Sequence, residues 1–230
     1  MLGVGMSSLA RPQRCSAHQF RGDGAILVRG GRRRGLYHRI VGDYAQTLVD
    51  IDIDDDIAVR MRDRVITWLV ERGIIAAELT DCVLGSPEGG YAPGQNYGQA
   101  VGYESAAIPR YRTNGMMIEA GRRGYWGGDL EAVICPRCTH RESLEPIDEG
   151  RWHTDFSAAI DQWCAGGDGL VRCVGCGMSI GLNDWDWGYP WAFSALGITF
   201  WNWDDLSETF IAELSEFLGE HRLIYCHYKL

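Results

Sequence analysis

A chain of 230 residues with 46% hydrophobic content and a formal net charge of −9 has the composition of a globular protein of one or two domains. No stretch approaches the ~20 apolar residues of a membrane-spanning helix, so no membrane partner is expected. Lys229 is the single lysine among 22 basic residues; this excludes a Gly-Lys-Ser/Thr phosphate loop and confines Schiff-base chemistry to the penultimate residue.

Charge divides the chain. Residues 1–39 hold eight Arg and one acid, Asp23, whereas the remainder carries a net −16. The Arg/Gly/Ser-rich start lacks apolar periodicity, so residues 1–44 are predicted to be a basic, disordered tail. The acidic body repels phosphate backbones, which argues against nucleic acid as a partner. Met1–Ala10 has neither the basic start nor the sustained apolar run of a secretory signal. A cytoplasmic chain with reduced thiols is therefore expected.

Residues 45–125 read as an N-terminal α/β part. Ile57, Met61, Val65, Trp68 and Leu69 recur at helical spacing and predict a helix over Asp54–Arg72, stopped by Gly73. The acidic run at 50–56 is not a calcium loop. Asp55 stands where such a loop needs Gly, and Met61 where it needs Glu. A short strand is predicted at Asp81–Leu84. A long Gly/Pro loop at 85–102 follows, of a length usually functional or mobile. A further strand is predicted over Gly115–Ala120.

Residues 126–183 carry the clearest chemistry. Cys135-Pro-Arg-Cys138 and Cys173-Val-Gly-Cys176 are two Cys-x-x-Cys clips, 34 residues apart. Four thiolates in two tight turns can close a tetrahedral Zn²⁺ site, so a zinc ribbon is predicted, with RWHTDFSAAIDQWCAGG inserted between the clips as helix or turn. Cys82, Cys164 and Cys226 read as small apolar core residues. Residues 184–230 read as a C-terminal β-α-β part. It comprises a strand over Leu196–Trp203, a helix with Phe210, Ile211, Leu214, Phe217 and Leu218 on one face, and a strand over Leu223–Tyr228. The two strands are expected to run parallel. The whole is predicted to be α+β: a small mixed sheet with two main helices and an inserted zinc ribbon.

The order of the segments RVITWLVERGII, DCVLG, YAPGQNY, TNG, CPRC, CVGC, GITFWNW, LSETFIAEL and the final KL resembles a family of functionally uncharacterised bacterial proteins. The similarity covers about residues 60–230. Members of that family are sometimes labelled sugar-transporter ATPases. This chain has no phosphate loop, so the activity is not carried over; the resemblance implies one compact unit and no known substrate.

Two functional readings remain. In the first, the chain is a non-enzymatic zinc-binding module whose partner is another protein, contacted through Tyr91 of the Gly/Pro loop and Trp185, Trp187 and Trp191 of the aromatic loop. The alternative is a zinc-dependent hydrolase of the deaminase type. There His140, Cys173 and Cys176 would hold the metal and Glu142 would move protons. It leaves Cys135 and Cys138 without a role, and Arg172 stands where that motif has proline.

Overall fold

The computed structural model describes residues 42–103, 108, 111–128, 130–144 and 150–229. Residues 1–41, most of the expected tail, lie outside them. The fold is α+β. Its centre is a six-stranded sheet of β1 (Tyr44–Asp50), β2 (Ile75–Thr80), β3 (Gly90–Pro93), β4 (Gly115–Trp126), β9 (Trp191–Trp201) and β10 (Leu223–Lys229). These lie in the order β10-β1-β9-β4-β3-β2. Every pairing is antiparallel. β9 and β10 do run parallel to each other, but β1 lies between them and pairs antiparallel with both.

β1 explains why the sheet is only partly legible. Its polar side chains at Gln46, Thr47 and Asp50 are all buried, so the strand shows no apolar alternation. Each is satisfied. Gln46 donates to the carbonyls of Trp203 and Asp204 and accepts from the Leu206 amide. The Thr47 hydroxyl pairs with that of Thr199 at 2.9 Å. Asp50 accepts from the Asp52 amide and from Nδ1 of His221.

Helices α1 (Asp55–Glu71), α2 (Gly98–Val101) and α4 (Glu208–Phe217) cover one face of the sheet. Met61, Val65 and Leu69 of α1 and Phe210 and Leu214 of α4 pack with Leu48, Leu196, Ile198 and Phe200 in one apolar core. The α1 periodicity thus reports its true buried face. Ser207 caps α4 by accepting from the Phe210 amide at 3.2 Å, and Gly219 at φ 95° ends it.

The predicted strand at 81–84 is not one. β2 ends at Thr80, and Cys82 and Val83 instead turn inward from a loop. A Cβ on Gly115 would lie 2.3 Å from Cys82 Sγ, so glycine is what admits that thiol against β4. The strand expected at 115–120 continues to Trp126, and the one expected at 196–203 starts five residues earlier.

The second core surrounds the cysteines. It is built by the hairpin β5 (Ala132–Ile134)–β6 (Arg141–Ser143), a π-helical turn at Trp152–Phe156 leading into α3 (Ser157–Cys164), and the hairpin β7 (Leu170–Arg172)–β8 (Ser179–Gly181). β9 joins the two cores. Trp191 and Phe193 belong to the cysteine-side core, and Ala195 to Phe200 to the helix-side core.

Candidate metal centre

Each clip sits at the tip of one short hairpin, and the two tips share a hydrogen-bond pattern. The Cys135 amide donates to the His140 carbonyl at 3.0 Å, and the Thr139 amide to the Cys135 carbonyl at 3.0 Å. Thirty-eight residues on, the Cys173 amide donates to the Met178 carbonyl at 2.8 Å, and the Gly177 amide to the Cys173 carbonyl at 2.8 Å. The residue after each second cysteine is left-handed, with φ 57° at Thr139 and 72° at Gly177. Glycine adopts that conformation without cost, whereas Thr is β-branched and strained there. The Thr139 hydroxyl bonds the Cys138 carbonyl at 2.7 Å, which helps hold the turn.

The hairpins face each other so that the clips interleave. Cys135 Sγ lies 3.9 Å from Cys176 Sγ, and Cys138 Sγ 3.7 Å from Cys173 Sγ. All four sulfurs lie within 4.8 Å of one another. A tetrahedron of thiolates at 2.3 Å from a central Zn²⁺ has sulfur–sulfur edges of about 3.8 Å, which the cluster fits. Cys135 and Cys173 are buried, Cys138 half-buried and Cys176 exposed, so the cluster meets solvent along one side. Among the described residues no other group of three or more His, Cys, Asp or Glu comes together as a metal site.

The thiols do not ionise alike. Burial acts to raise the Cys135 thiol, but the amides of Arg137 and Cys138 and the neighbouring thiols outweigh it and bring it down to about 7. The His140 amide acts to lower Cys138, yet burial and the other three thiols carry it up to about 12. One thiolate therefore forms readily and discourages the next. A divalent cation at the centre removes that conflict and releases the remaining protons.

Residues that sequence reasoning missed hold the hairpins together. Arg151 donates to Glu142 Oε2 at 2.6 Å, to the Arg172 carbonyl at 2.6 Å and to Asp155 Oδ2 at 2.7 Å. It clamps β6, β7 and the π-helical turn at one point. Gly175 is a second such residue: a Cβ there would lie 2.7 Å from His140 Cβ and 3.2 Å from Cys138 Sγ. Glycine thus lets one clip approach the other. The sequence does carry a signal for this pairing. Val133 and Val171 stand two residues before the first cysteine of each clip, and both are buried.

The tryptophans expected on a contact face are inside. Trp185, Trp187 and Trp191 are 3%, 4% and 6% exposed. Trp187 stacks on Trp191 with centroids 5.3 Å apart and meets Phe156 edge-on, as Trp185 also does. The Trp187 indole N–H donates to the Leu182 carbonyl, and Asp186 is paired through its backbone with Ile134 of β5. Rings of this size bury most apolar surface in a small core, which draws the loop inward. Tyr189 remains 52% exposed, and Tyr91 is half-buried on β3.

No family model, curated protein or solved structure matches the chain. The resemblance read from the order of segments, with its zinc ribbon and its transporter label, is not confirmed by them.

Proposed function

We propose that the four cysteines hold one structural Zn²⁺ and that the protein is a non-enzymatic binding module for another protein, working in the cytoplasm. The observation that carries this is the interleaved cluster of Cys135, Cys138, Cys173 and Cys176, whose sulfur spacing suits a coordinatively closed tetrahedral metal. A closed site leaves no position for water or substrate, so its contribution is to order the two hairpins and the aromatic core behind them.

The deaminase reading draws no support from the geometry. It needs His140 as ligand, but the sulfurs of Cys135 and Cys138 complete the cluster without it. It needs Glu142 free to move protons, but Arg151 engages that carboxylate. For the partner surface, the burial of the three tryptophans shifts weight to the rim formed by Tyr91 and the loop at 85–89, which border a cleft of about 1200 Å³.

Metal content of the purified full chain tests the reading. One zinc per chain is expected, lost in Cys135→Ser and Cys173→Ser and kept in His140→Ala. Absence of stoichiometric metal, or loss on His140→Ala with retention in Cys135→Ser, overturns it. The partner claim is tested separately by affinity capture. Folded, zinc-loaded Tyr91→Ala should lose a partner that the wild type retains; unchanged capture rejects this surface.

A further inference from the structure

The second hairpin holds apolar side chains in solvent beside the cysteine cluster. Leu170, Val174 and Met178 are 50%, 61% and 54% exposed. In β7 Val171 points into the aromatic core, so strand alternation turns Leu170 and Arg172 outward. Val174 lies within the clip and Met178 just after it. The fold uses only the Met178 carbonyl, which accepts from the Cys173 amide, so polar side chains would serve the clip as well.

Three arginines border these side chains. Arg137 lies inside the first clip, Arg141 follows that clip on β6, and Arg172 immediately precedes Cys173. All three are exposed. Arg172 reaches over the second clip: a Cβ on Gly177 would lie 3.4 Å from its Nη2. Among the described residues none of the three is in an ion pair, whereas seven of the other nine described arginines reach a carboxylate. Glu142, next to Arg141, is already held by Arg151. Four thiolates outweigh one Zn²⁺ by about two charges, so the metal centre offsets part of the arginine charge. The thiols converge between the hairpins and the guanidinium groups stand in solvent, so the surplus positive charge faces outward.

A cationic rim around aliphatic side chains fits a carboxylate-rich protein segment with an apolar anchor. Nucleic acid fits less well, because Val174 and Met178 offer phosphates nothing and lack the rings on which bases stack. We infer that the face formed by Arg137, Arg141, Arg172, Leu170, Val174 and Met178 docks an acidic segment of a partner protein. Its anchor sits on the aliphatic side chains, where the flexible Met178 adapts to its shape, and its carboxylates pair with the guanidinium groups. This rests on reading the chain as a zinc-ordered module for another protein, and it uses a face other than the Tyr91 rim.

Fluorescence anisotropy on the full zinc-loaded chain tests it, with the fluorescein-labelled peptide Glu-Asp-Leu-Glu-Asp-Phe-Glu-Glu as probe. Saturable binding is expected, weakening as salt rises. Arg137→Gln/Arg141→Gln/Arg172→Gln and Val174→Ser/Met178→Ser should each keep zinc and bind at least about tenfold more weakly. Tyr91→Ala should bind as the wild type does; weakened binding there places the probe at the cleft rim and overturns the inference. Stoichiometric zinc without saturable binding overturns it and leaves the metal reading standing. Loss of zinc in the arginine variant overturns it too, because the guanidinium groups then serve the thiolates. So does equal binding of a probe whose Leu and Phe are replaced by Ser, since no anchor is then needed. Tighter binding of a single-stranded DNA of about 20 nucleotides makes nucleic acid the occupant and overturns it as well.

Discussion

At Gly175 and Thr139 the cluster depends on single atoms. A methyl on Gly175 has backbone-adjacent neighbours on His140 and a sulfur on Cys138 as its nearest atoms, so the clip must shift to admit it. Gly175→Ala is therefore expected to weaken metal retention, read as faster zinc transfer to a chromogenic chelator than in wild type. Thr139→Gly relieves a left-handed Thr and is expected to stabilise the loaded protein by about 0.5–1 kcal/mol, read as a raised denaturant midpoint. A third residue-scale prediction concerns Asp50. Burial raises its carboxyl, against the bonds from His221 and the Asp52 amide that lower it. The folded state thus holds the Asp50 proton to higher pH than the unfolded chain does. Stability linked to this group is full below the unfolded value of about 3.9 and falls as pH rises through the raised folded value. Asp50→Asn should remove that fall. Unfolding midpoints across pH 4 to 7 should show the variant gaining on wild type as pH rises; parallel curves would refute it.

The elements that periodicity and spacing revealed are those whose buried face is apolar. α1, α4 and the two clips belong to this group, because Met61, Val65, Leu69, Phe210 and Leu214 bury what their spacing advertises. β1 does not, since it buries Gln46, Thr47 and Asp50 and relies on partners more than 140 residues away in sequence. The aromatic loop was legible as aromatic but not as interior, because no local pattern announces the Ile134–Asp186 bridge that folds it inward. Arg151 gave no signal beyond its i,i+4 spacing to Asp155, as its other two acceptors, on Glu142 and Arg172, lie on two different strands. Two substitutions probe this level. Ser207→Ala removes the cap of α4 and is expected to cost about 1 kcal/mol. Gln46→Leu strands the Leu206 amide and two carbonyls, and is expected to cost more, on the order of 2–4 kcal/mol. Chemical denaturation of the two variants should rank them in that order; a smaller loss in Gln46→Leu would mean water reaches those groups.

For the molecule as a whole, β9 decides how loss of metal spreads. The strand is buried at all eleven positions and gives its first part to the aromatic core and its second to the helix-side core. The aromatic core rests on Cys135 and Cys173 themselves, on two hairpins whose strands are three residues each and too short to persist alone, and on the Arg151 clamp. The helix-side core contains no cysteine ligand and is pinned by β1, which pairs with β9 from Ala45–Trp201 to Val49–Gly197. Chelation is therefore expected to unfold residues 130–144 and 150–187 first, in a step separate from the main transition. Trp152, Trp185 and Trp187 would become wet and their emission would shift to the red, while amides of β1, α1 and β10 kept their protection. The shared strand sets the limit: the Trp191–Phe193 part of β9 should lose protection with the hairpins, and the Ile198–Phe200 part should not. A single cooperative collapse of both cores on chelation would show that β9 couples them too tightly for the metal to control one alone. Retained blue-shifted emission after zinc is gone would show instead that the aromatic packing holds the hairpins without it.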